Sequence, residues 1–337
     1  MKIKRKIIAI LLSVVLSITM CSCAGIHDET SQKAEYTLTV AVAIAENTPS
    51  GEALLAIKDE LERRSNGKVT LDIFWESTLG GATEISENIK LGTVDMGLLS
   101  SAVIANYAPT IDVLSLPFMI SSRDQMKVIY ELYFDDITAD IRESLGVPLG
   151  IWEFGYRHLC TKDVEVTSVE DCKGLTIRVM DGQMYSDTFN ALGCIPSNIA
   201  HSELVPALQQ GTVDGAEEPM AMVCNQQQYT FCDYVAMIGY NYSVGCPIMS
   251  TSTYNNLPDD VRTLVEEVFY EYRYYTIDLG QKYEDEYIEI CQEGGMTINY
   301  ISDEEMKRFQ EAVEPVWEKY SERMGEDLVQ KIANASK

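Results

Sequence analysis

The chain has 337 residues, of which 46% are hydrophobic and 23% are charged. This composition supports one or two packed domains and excludes a mostly disordered protein. The 52 acidic residues outnumber the 26 basic ones, and the net charge of −26 repels a phosphate backbone, which argues against nucleic-acid binding.

The N-terminus has the parts of an export signal. Basic residues at positions 2 and 4–6 precede an apolar segment, Ile7–Met20. The following Ser22-Cys23-Ala24-Gly25 resembles a bacterial lipobox, which predicts cleavage after a signal peptide at 1–22 and lipidation of Cys23, with 23–35 as a tether. Cleavage as an ordinary signal peptide is the alternative. After residue 30, no apolar run is long enough to span a membrane.

Strands and helices alternate through the next part of the chain. Each predicted strand is followed by apolar residues at helical spacing and then by a glycine, which predicts parallel βαβ units. The predicted elements are a strand at Tyr36–Val42, a helix through Leu54 and Leu61 that stops at Asn66, a strand at Val69–Phe74, a helix at Thr83–Leu91 and a strand at Val94–Leu99.

The same order returns further along. The predicted elements there are a strand at Leu175–Val179, helices at Gln183–Leu192 and from Ser202 to Gln210, and a strand at Val213–Ala216. Two such blocks, near 36–150 and 152–240, predict two α/β lobes. Ligands in open sheets bind at the carboxyl ends of strands, and a site between lobes is common.

A single long helix is predicted after the second block. Apolar and aromatic residues keep helical spacing from Val261 to Ile290, interrupted only by Gly280. Such a helix is roughly 50 Å long and is expected to brace both lobes, with its tyrosines used in packing. A last helix is predicted from Glu304 to Ser321.

Seven cysteines follow Cys23, without a C-x-x-C pair or a histidine at ligand spacing, which argues against a zinc site. An exported chain is expected to pair its cysteines, but seven cannot all pair within one chain. Free buried thiols are slightly favoured, and Cys224 with Cys232 is the first pair to test. With three histidines in all, general bases are scarce.

Five motifs carry a resemblance to a known family. They are Leu79–Glu84, Lys90–Met96, Leu116–Phe118, Gly174–Met180 and Glu203–Gly215. In this order they resemble the solute-binding proteins of tripartite ATP-independent periplasmic (TRAP) transporters, of the DctP type.

The resemblance implies an α/β, two-lobe periplasmic-binding-protein type II fold with a long bracing helix. Lobe I is expected at 36–151 plus 241–283, and lobe II at 152–240 plus 284–337. It also implies a receptor for a small organic acid, without cofactor or metal. The receptor would sit on the outer face of the cell membrane, held by its lipid anchor, and would deliver its solute to the small and large membrane permease subunits.

The same resemblance identifies the ligand anchors. The arginine of the I-R-V-M strand is Arg178, and that of the G-x-R segment is Arg157. A guanidinium suits a carboxylate because it donates two parallel hydrogen bonds and stays charged. The alternative for each is a strand-end arginine paired with one of the abundant acids.

One position departs from the family pattern. Glu218 stands where the family usually has an asparagine that helps to hold the carboxylate. An ionised Glu218 repels a ligand carboxylate or, if buried beside Arg178, neutralises that anchor. It accepts hydrogen bonds from hydroxyls or an ammonium group, which favours a sugar acid, a polyhydroxy acid or a zwitterion over a plain dicarboxylate. The alternative is that Glu218 faces solvent.

Other cleft residues follow from the resemblance with less support. They are Asn47, Thr83, Ser100, Ser101, Trp152, His201 and Tyr242. Trp152 is considered either as a cover for a sugar face or as a packing residue between lobes. Besides a transport receptor, an enzyme on a similar fold and a ligand sensor for a signalling partner remain alternatives, although the sequence lacks G-x-S-x-G, H-E-x-x-H and P-loop motifs.

Overall fold

The computed structural model describes residues 34–335. The predicted signal peptide, Cys23 and almost all of the tether therefore lie outside the described residues. Within them, all ten strands join one mixed sheet. The strands are β1 (Tyr36–Val42), β2 (Val69–Phe74), β3 (Met96–Ser100), β4 (Val147–Pro148), β5 (Trp152–Thr161), β6 (Thr176–Val179), β7 (Ile195–Asn198), β8 (Gly215–Pro219), β9 (Tyr234–Met249) and β10 (Thr297–Tyr300).

The helices cover both faces and the two ends of this sheet. They are α1 (Pro49–Ser65), α2 (Ala82–Leu91), α3 (Ser101–Ile104), α4 (Arg123–Ser144), α5 (Gln183–Ala191), α6 (Leu204–Gln210), α7 (Met220–Asn225), α8 (Thr251–Asn256), α9 (Asp259–Glu271), α10 (Tyr275–Glu293), α11 (Asp303–Ala312), α12 (Glu314–Met324) and α13 (Glu326–Ala333). None of these helices combines the length and the apolar character that crossing a membrane requires.

The predicted parallel units are confirmed at both ends of the sheet. The main strand order is β2-β1-β3-β9-β5-β8-β6-β7. β1 runs parallel to β2 and β3, and we call this end the first half. β6 runs parallel to β7 and β8, and we call that end the second half. The fold is thus the expected two-lobe α/β architecture.

Two long antiparallel strands join the halves. β9 has 16 residues and β5 has 10, and their ladder is interrupted at Glu153/Gly155 and at Arg157/Leu159. β9 also pairs with β3 in the first half, while β5 pairs with β8 in the second. The central strands therefore belong to both halves, and the residues near their interruptions lie where the halves meet.

The prediction of one helix from Val261 to Ile290 is wrong. The segment forms α9 and α10, separated by a turn at residues 272–274. Aromatic residues have modest helix propensity, and the turn is held from outside: the Arg273 guanidinium lies over the rings of Tyr270 and Tyr274 and pairs with Glu131 of α4 at 3.0 Å.

The predicted last helix is likewise divided, into α11 and α12, and α13 follows. Pro315 lies in the first turn of α12, where its missing N–H costs no hydrogen bond. One helix through this position would instead lose a backbone bond and bring the ring against the preceding turn. The break at Val313 follows from that proline.

Candidate functional site

The predicted anchor Arg178 lies on β6 and is buried, with only 4% of its surface exposed. Its Nε donates to the carbonyl oxygen of Ile199 at 2.9 Å. Its Nη1 donates to Glu218 Oε1 at 2.5 Å. β6 and β8 are parallel neighbours, so the pair joins two adjacent strands of the second half.

Glu218 is 1% exposed, so the alternative that it faces solvent is wrong. Its Oε1 lies 3.8 Å from Arg157 Nη2 and 3.9 Å from His201 Nδ1, besides the contact with Arg178. Its Oε2 accepts no hydrogen bond from the described residues, which leaves one carboxylate oxygen for another donor.

The second anchor, Arg157 on β5, is held by the neighbouring acid. Its Nε pairs with Glu217 Oε2, and its Nη2 donates to the Glu217 carbonyl oxygen at 2.5 Å. Glu217 also accepts from Tyr240 Oη at 2.6 Å and from the Met180 amide at 2.8 Å. Burial alone lowers the pKa of Arg157, but Glu217 and Glu218 outweigh it and raise the pKa above its usual value.

The four buried charges cancel. Two guanidinium groups face two carboxylates, so the site is neutral before a ligand arrives. Nη2 of Arg178 and Nη1 of Arg157 donate no hydrogen bond within residues 34–335, so each arginine keeps an N–H group for a ligand. The alternative for these arginines, pairing with acids, is therefore what this structure shows, and the pairing leaves donors unused.

His201 contributes a neutral side chain to the site. It lies in a short 3-10 helix, His201–Glu203, and its Nε2 lies 2.9 Å from Gln226 Nε2. An amide nitrogen can only donate, so the His201 Nε2 accepts and the proton of the neutral ring sits on Nδ1, toward Glu218. Desolvation lowers the pKa of His201, with further lowering by Arg178 and Arg157 and opposition from Glu218.

A hydrogen-bonded chain of polar groups links the two halves beside the arginines. Ser101 Oγ lies 3.1 Å from Ser115 Oγ, to which Tyr185 of α5 donates at 3.4 Å. Asn241 Nδ2 donates to the Ser115 carbonyl at 3.0 Å, and Asn241 is the β9 partner of Arg157 in the ladder. The buried Asn241 Oδ1 has no hydrogen-bond partner, so a further acceptor is available here.

The other first-half residues predicted for the cleft make no hydrogen bond with Arg178 or Arg157 among the described residues. Ser100 is half-buried at the end of β3, and Thr83 is exposed in the first turn of α2. Asn47 is exposed, and its Nδ2 donates to Asn225 of α7 at 3.3 Å. Asn47 thus touches the second half without touching the arginine pair.

Two predicted ligand residues are structural. Trp152 is fully buried and stacks on Phe269 of α9, with ring centroids 6.0 Å apart. Its ring has no free face for a sugar, so the packing alternative is the one the structure supports. Tyr242 donates to Glu153 Oε2 at 2.5 Å and belongs to a separate cluster.

That cluster joins β5 to α4 and α10. Arg123 donates to Glu153 at 2.7 Å and to Glu284 at 3.0 Å, and His158 Nε2 lies 3.3 Å from Glu284 Oε1. The Gly239 amide donates to His158 Nδ1, so the neutral ring carries its proton on Nε2. Every one of these charges is already paired, and the cluster braces the central strands.

Within residues 34–335, no group of three or more potential ligands is arranged to hold a metal ion. Three residues of the site were missed in the sequence: Glu217, Tyr240 and Asn241. The signals were adjacent to the predicted positions, since Glu217 precedes Glu218, and Tyr240-Asn241 directly precedes Tyr242.

The family model for bacterial extracellular solute-binding proteins, family 7, matches residues 40–323. This is most of the chain. The chain belongs to this family.

Solved structures agree with this membership. A TRAP periplasmic solute-binding protein from Sulfurospirillum deleyianum with bound succinate is 25% identical, with a TM-score of 0.85 over 90% of this chain and 100% of the other. One from Pseudomonas putida with bound D-glucuronate is 26% identical, with a TM-score of 0.84 over 89% and 98%. The C4-dicarboxylate-binding protein DctP of Rhodobacter capsulatus is 24% identical over 87% and 89% of the two chains.

Proposed function

We propose that this family 7 solute-binding protein is an extracytoplasmic receptor for a monocarboxylate that also carries hydroxyl or ammonium groups. It binds this solute between its halves and passes it to the membrane subunits of a TRAP transporter, without catalysing a reaction. The observation that supports the proposal is the buried arrangement of Arg178, Arg157 and Glu218.

The unused donors and acceptors define the ligand. The free N–H groups of Arg178 and Arg157 are suited to one carboxylate. Glu218 Oε2 accepts no hydrogen bond from the described residues. The buried Asn241 Oδ1 is also without a donor, and burying an acceptor unpaired costs free energy. Hydroxyl or ammonium groups on the solute satisfy them.

The charge balance argues against a plain dicarboxylate. Because the two glutamates already neutralise the two arginines, one ligand carboxylate gives the buried site a single net negative charge, and a second carboxylate adds another beside Glu218. Among similar structures, the Pseudomonas putida protein holds the sugar acid D-glucuronate and the Sulfurospirillum deleyianum protein holds the dicarboxylate succinate. The site described here favours the first type of ligand.

A thermal-shift screen over organic acids tests this function. A solute that binds only the folded state raises the free energy of unfolding by about 2.7 kcal/mol at a hundredfold excess over its Kd. We expect sugar acids, hydroxy acids or zwitterions to raise the melting temperature more than dicarboxylates of similar size. Turnover of a hit would contradict a pure receptor.

Calorimetry on Arg178 variants tests the anchor with the best acid from that screen. Arg178→Ala is expected to weaken binding by thirtyfold to several thousandfold, since losing one partner of a buried charge pair costs about 2 to 5 kcal/mol. Arg178→Lys recovers little, because an ammonium lacks the planar fork. Arg63→Ala removes an exposed arginine of α1 and serves as the control with unchanged affinity.

Glu218→Asn tests the ligand class. The variant is expected to bind the hydroxy or amino acid more weakly and to tolerate dicarboxylates better, because one like charge leaves the site. Unchanged affinity for the screened acid would show that Glu218 makes no contact with it.

We further propose that lipid on Cys23 anchors the mature chain to the outer face of the cell membrane. The support is the sequence from the basic residues through Ser22-Cys23-Ala24. Metabolic labelling with a fatty acid is expected to mark the wild type and not Cys23→Ala. Equal labelling of both would move the site to Cys21 or contradict lipidation.

A further inference from the structure

Six of the seven cysteines among the described residues form three contacting pairs. All seven are buried, and in this structure all seven are free thiols, which is the arrangement that the sequence slightly favoured. The thiols lie within hydrogen-bonding contact in the pairs Cys160 with Cys232, Cys172 with Cys194, and Cys224 with Cys291. Cys224 and Cys232, named from the sequence as the first pair to test, each contact a different cysteine.

The pair Cys172 and Cys194 is fixed by the backbone around it. Cys194 Sγ donates to the Cys172 carbonyl at 3.2 Å. Beside it, the Gly174 amide donates to the Gly193 carbonyl at 2.8 Å, just before the parallel strands β6 and β7 pair at Thr176 and Ile195. Cys172 and Cys194 thus lie just before two neighbouring parallel strands, at the same end of the sheet.

The other two pairs share one apolar cluster in the second half. Cys160 of β5 meets Cys232, which lies next to the start of β9, and the Asp233 amide donates to the Lys162 carbonyl at 3.1 Å. Cys224 of α7 meets Cys291 of α10, and these two helices pack together. No set of three potential ligands suited to a metal occurs in residues 34–335, so these thiols are not arranged as a metal site.

We propose that the exported protein carries three disulfides, Cys160–Cys232, Cys172–Cys194 and Cys224–Cys291, and leaves Cys246 as a free thiol. The predicted export signal places the chain where disulfides persist. A disulfide needs two cysteines whose side chains already meet, and the three pairs meet without any element having to move to another part of the fold.

The bonds form by exchange with a disulfide outside the chain, either of a small molecule such as oxidised glutathione or of an oxidoreductase. One cysteine thiolate attacks that disulfide and forms a mixed disulfide, releasing one thiolate. The second cysteine attacks the cysteine sulfur of the mixed bond and expels the other thiolate. The two cysteines are oxidised, the external disulfide is reduced to two thiols, and these take up the two cysteine protons.

Burial of the thiols determines at which stage of folding this exchange occurs. The hydrogen bond to Cys232 and burial raise the pKa of Cys160, and a protonated buried thiol does not attack a disulfide. We expect the bonds to form during folding after export, before the cysteines become buried.

All three bonds lie between residues 160 and 291 and none reaches β1–β3. Cys224–Cys291 attaches α7, which directly follows β8 and Glu218, to α10. The bonds therefore stiffen the half that holds both site glutamates. Cys224–Cys291 also ties this half to α10, which packs on α1 of the first half.

Non-reducing peptide mapping tests the proposal on the full-length chain, expressed with its export signal and alkylated before unfolding. Three cross-linked peptide pairs are expected, and Cys246 is expected to be alkylated only after unfolding. The mass of the chain should be about 6 Da lower than that of the reduced chain, since each bond removes two hydrogens. Seven alkylated cysteines, or cross-links between other partners, would overturn the proposal.

Two variants sharpen the assignment. Cys291→Ala is expected to lose one cross-linked pair and to free Cys224 for alkylation, while Cys246→Ala keeps all three pairs. A new bond from Cys224 to Cys232 in the wild type would overturn the pairing. The peptide map of the wild type does not depend on the variants, so it decides the proposal even if a variant folds poorly.

Discussion

Asp112 is a partly buried carboxyl group in the 3-10 segment Pro109–Ser115. Burial raises its pKa to about 7, against the lowering effects of Arg323 and Ser115. In the folded chain the group therefore keeps its proton through a pH range in which an unfolded chain has lost it.

The contribution of Asp112 to the free energy of unfolding depends on pH because the carboxyl has different pKa values in the folded and unfolded chain. The unfolded group has a pKa of about 3.9, so the folded state binds more protons between about pH 4 and pH 7. The contribution of Asp112 to the free energy of unfolding is fully present below that window and is lost as the pH rises through about 7. Asp112 therefore favours the folded state at acid pH.

We expect Asp112→Asn to flatten this part of the stability profile. Between about pH 5 and pH 8 the wild type loses on the order of 2 kcal/mol more than the variant, as measured by urea unfolding. Asp59→Asn changes an exposed carboxyl on α1 and should keep the wild-type slope. Equal slopes for wild type and Asp112→Asn would contradict the assignment.

For single residues, the sequence predicts which residues form the site better than it predicts what each side chain contacts. Arg178, Arg157 and Glu218 were expected together and do lie together. The role of Trp152 was not decided by sequence, because a tryptophan at a strand start serves a cleft or a core equally well until α9 places Phe269 against it. Glu217 was missed because a second acid in a run gives no signal of which one faces the arginine.

At the scale of one element, α10 packs unusually closely on the central strands. Gly280 faces the pair of Arg123 and Glu153, and a Cβ built on it would lie 2.4 Å from Glu153 Oε1 and 2.6 Å from Arg123 Nε. Only a glycine lets the helix backbone approach the buried ion pair at this distance.

Gly280→Ala is therefore expected to destabilise the protein. In an ordinary helix interior the change to alanine gains up to about 1 kcal/mol, whereas here it forces a buried ion pair apart and costs about 1 to 3 kcal/mol. Glu289→Ala, at an exposed position of the same helix, should be nearly neutral. Chemical denaturation measures both, and a stabilised Gly280→Ala would refute the close contact.

The ends of strands and helices show which features apolar periodicity predicts and which it does not. Tyr36–Val42 and Val69–Phe74 were predicted to the residue because alternating apolar strands end at turn residues. The turn at 272–274 was missed because helical spacing continues across it. It depends on Arg273 reaching Glu131 of α4, a contact between residues distant in sequence.

For the whole molecule, we expect solute binding to bring the two halves together. The expected lobe boundaries near residues 151 and 240 fall close to the interrupted β5–β9 ladder, which makes this region the expected hinge. α10 packs against both β5 and α7. Binding must favour the closed state for this change to occur. Small-angle scattering should give a smaller radius of gyration with the screened acid, and Arg178→Ala with the same acid should not.

An unchanged radius of gyration with a tightly bound acid would contradict closure.

The two-lobe fold itself was predictable from two blocks of alternating strands and helices. The way the halves join was not, because the pairing of β5 with β9 involves residues about eighty positions apart, and no local pattern records it.

The shared strands have one more consequence, for the survival of the protein outside the cell. Hinged molecules are commonly cut by proteases at an exposed linker, where the backbone is free to enter an active site. Here the chain passes between the halves within β5 and β9, in the middle of a hydrogen-bonded sheet, and within the helix α10. Extracellular proteases should therefore nick surface turns and leave the two halves attached, so that the closure expected above is compatible with resistance to digestion.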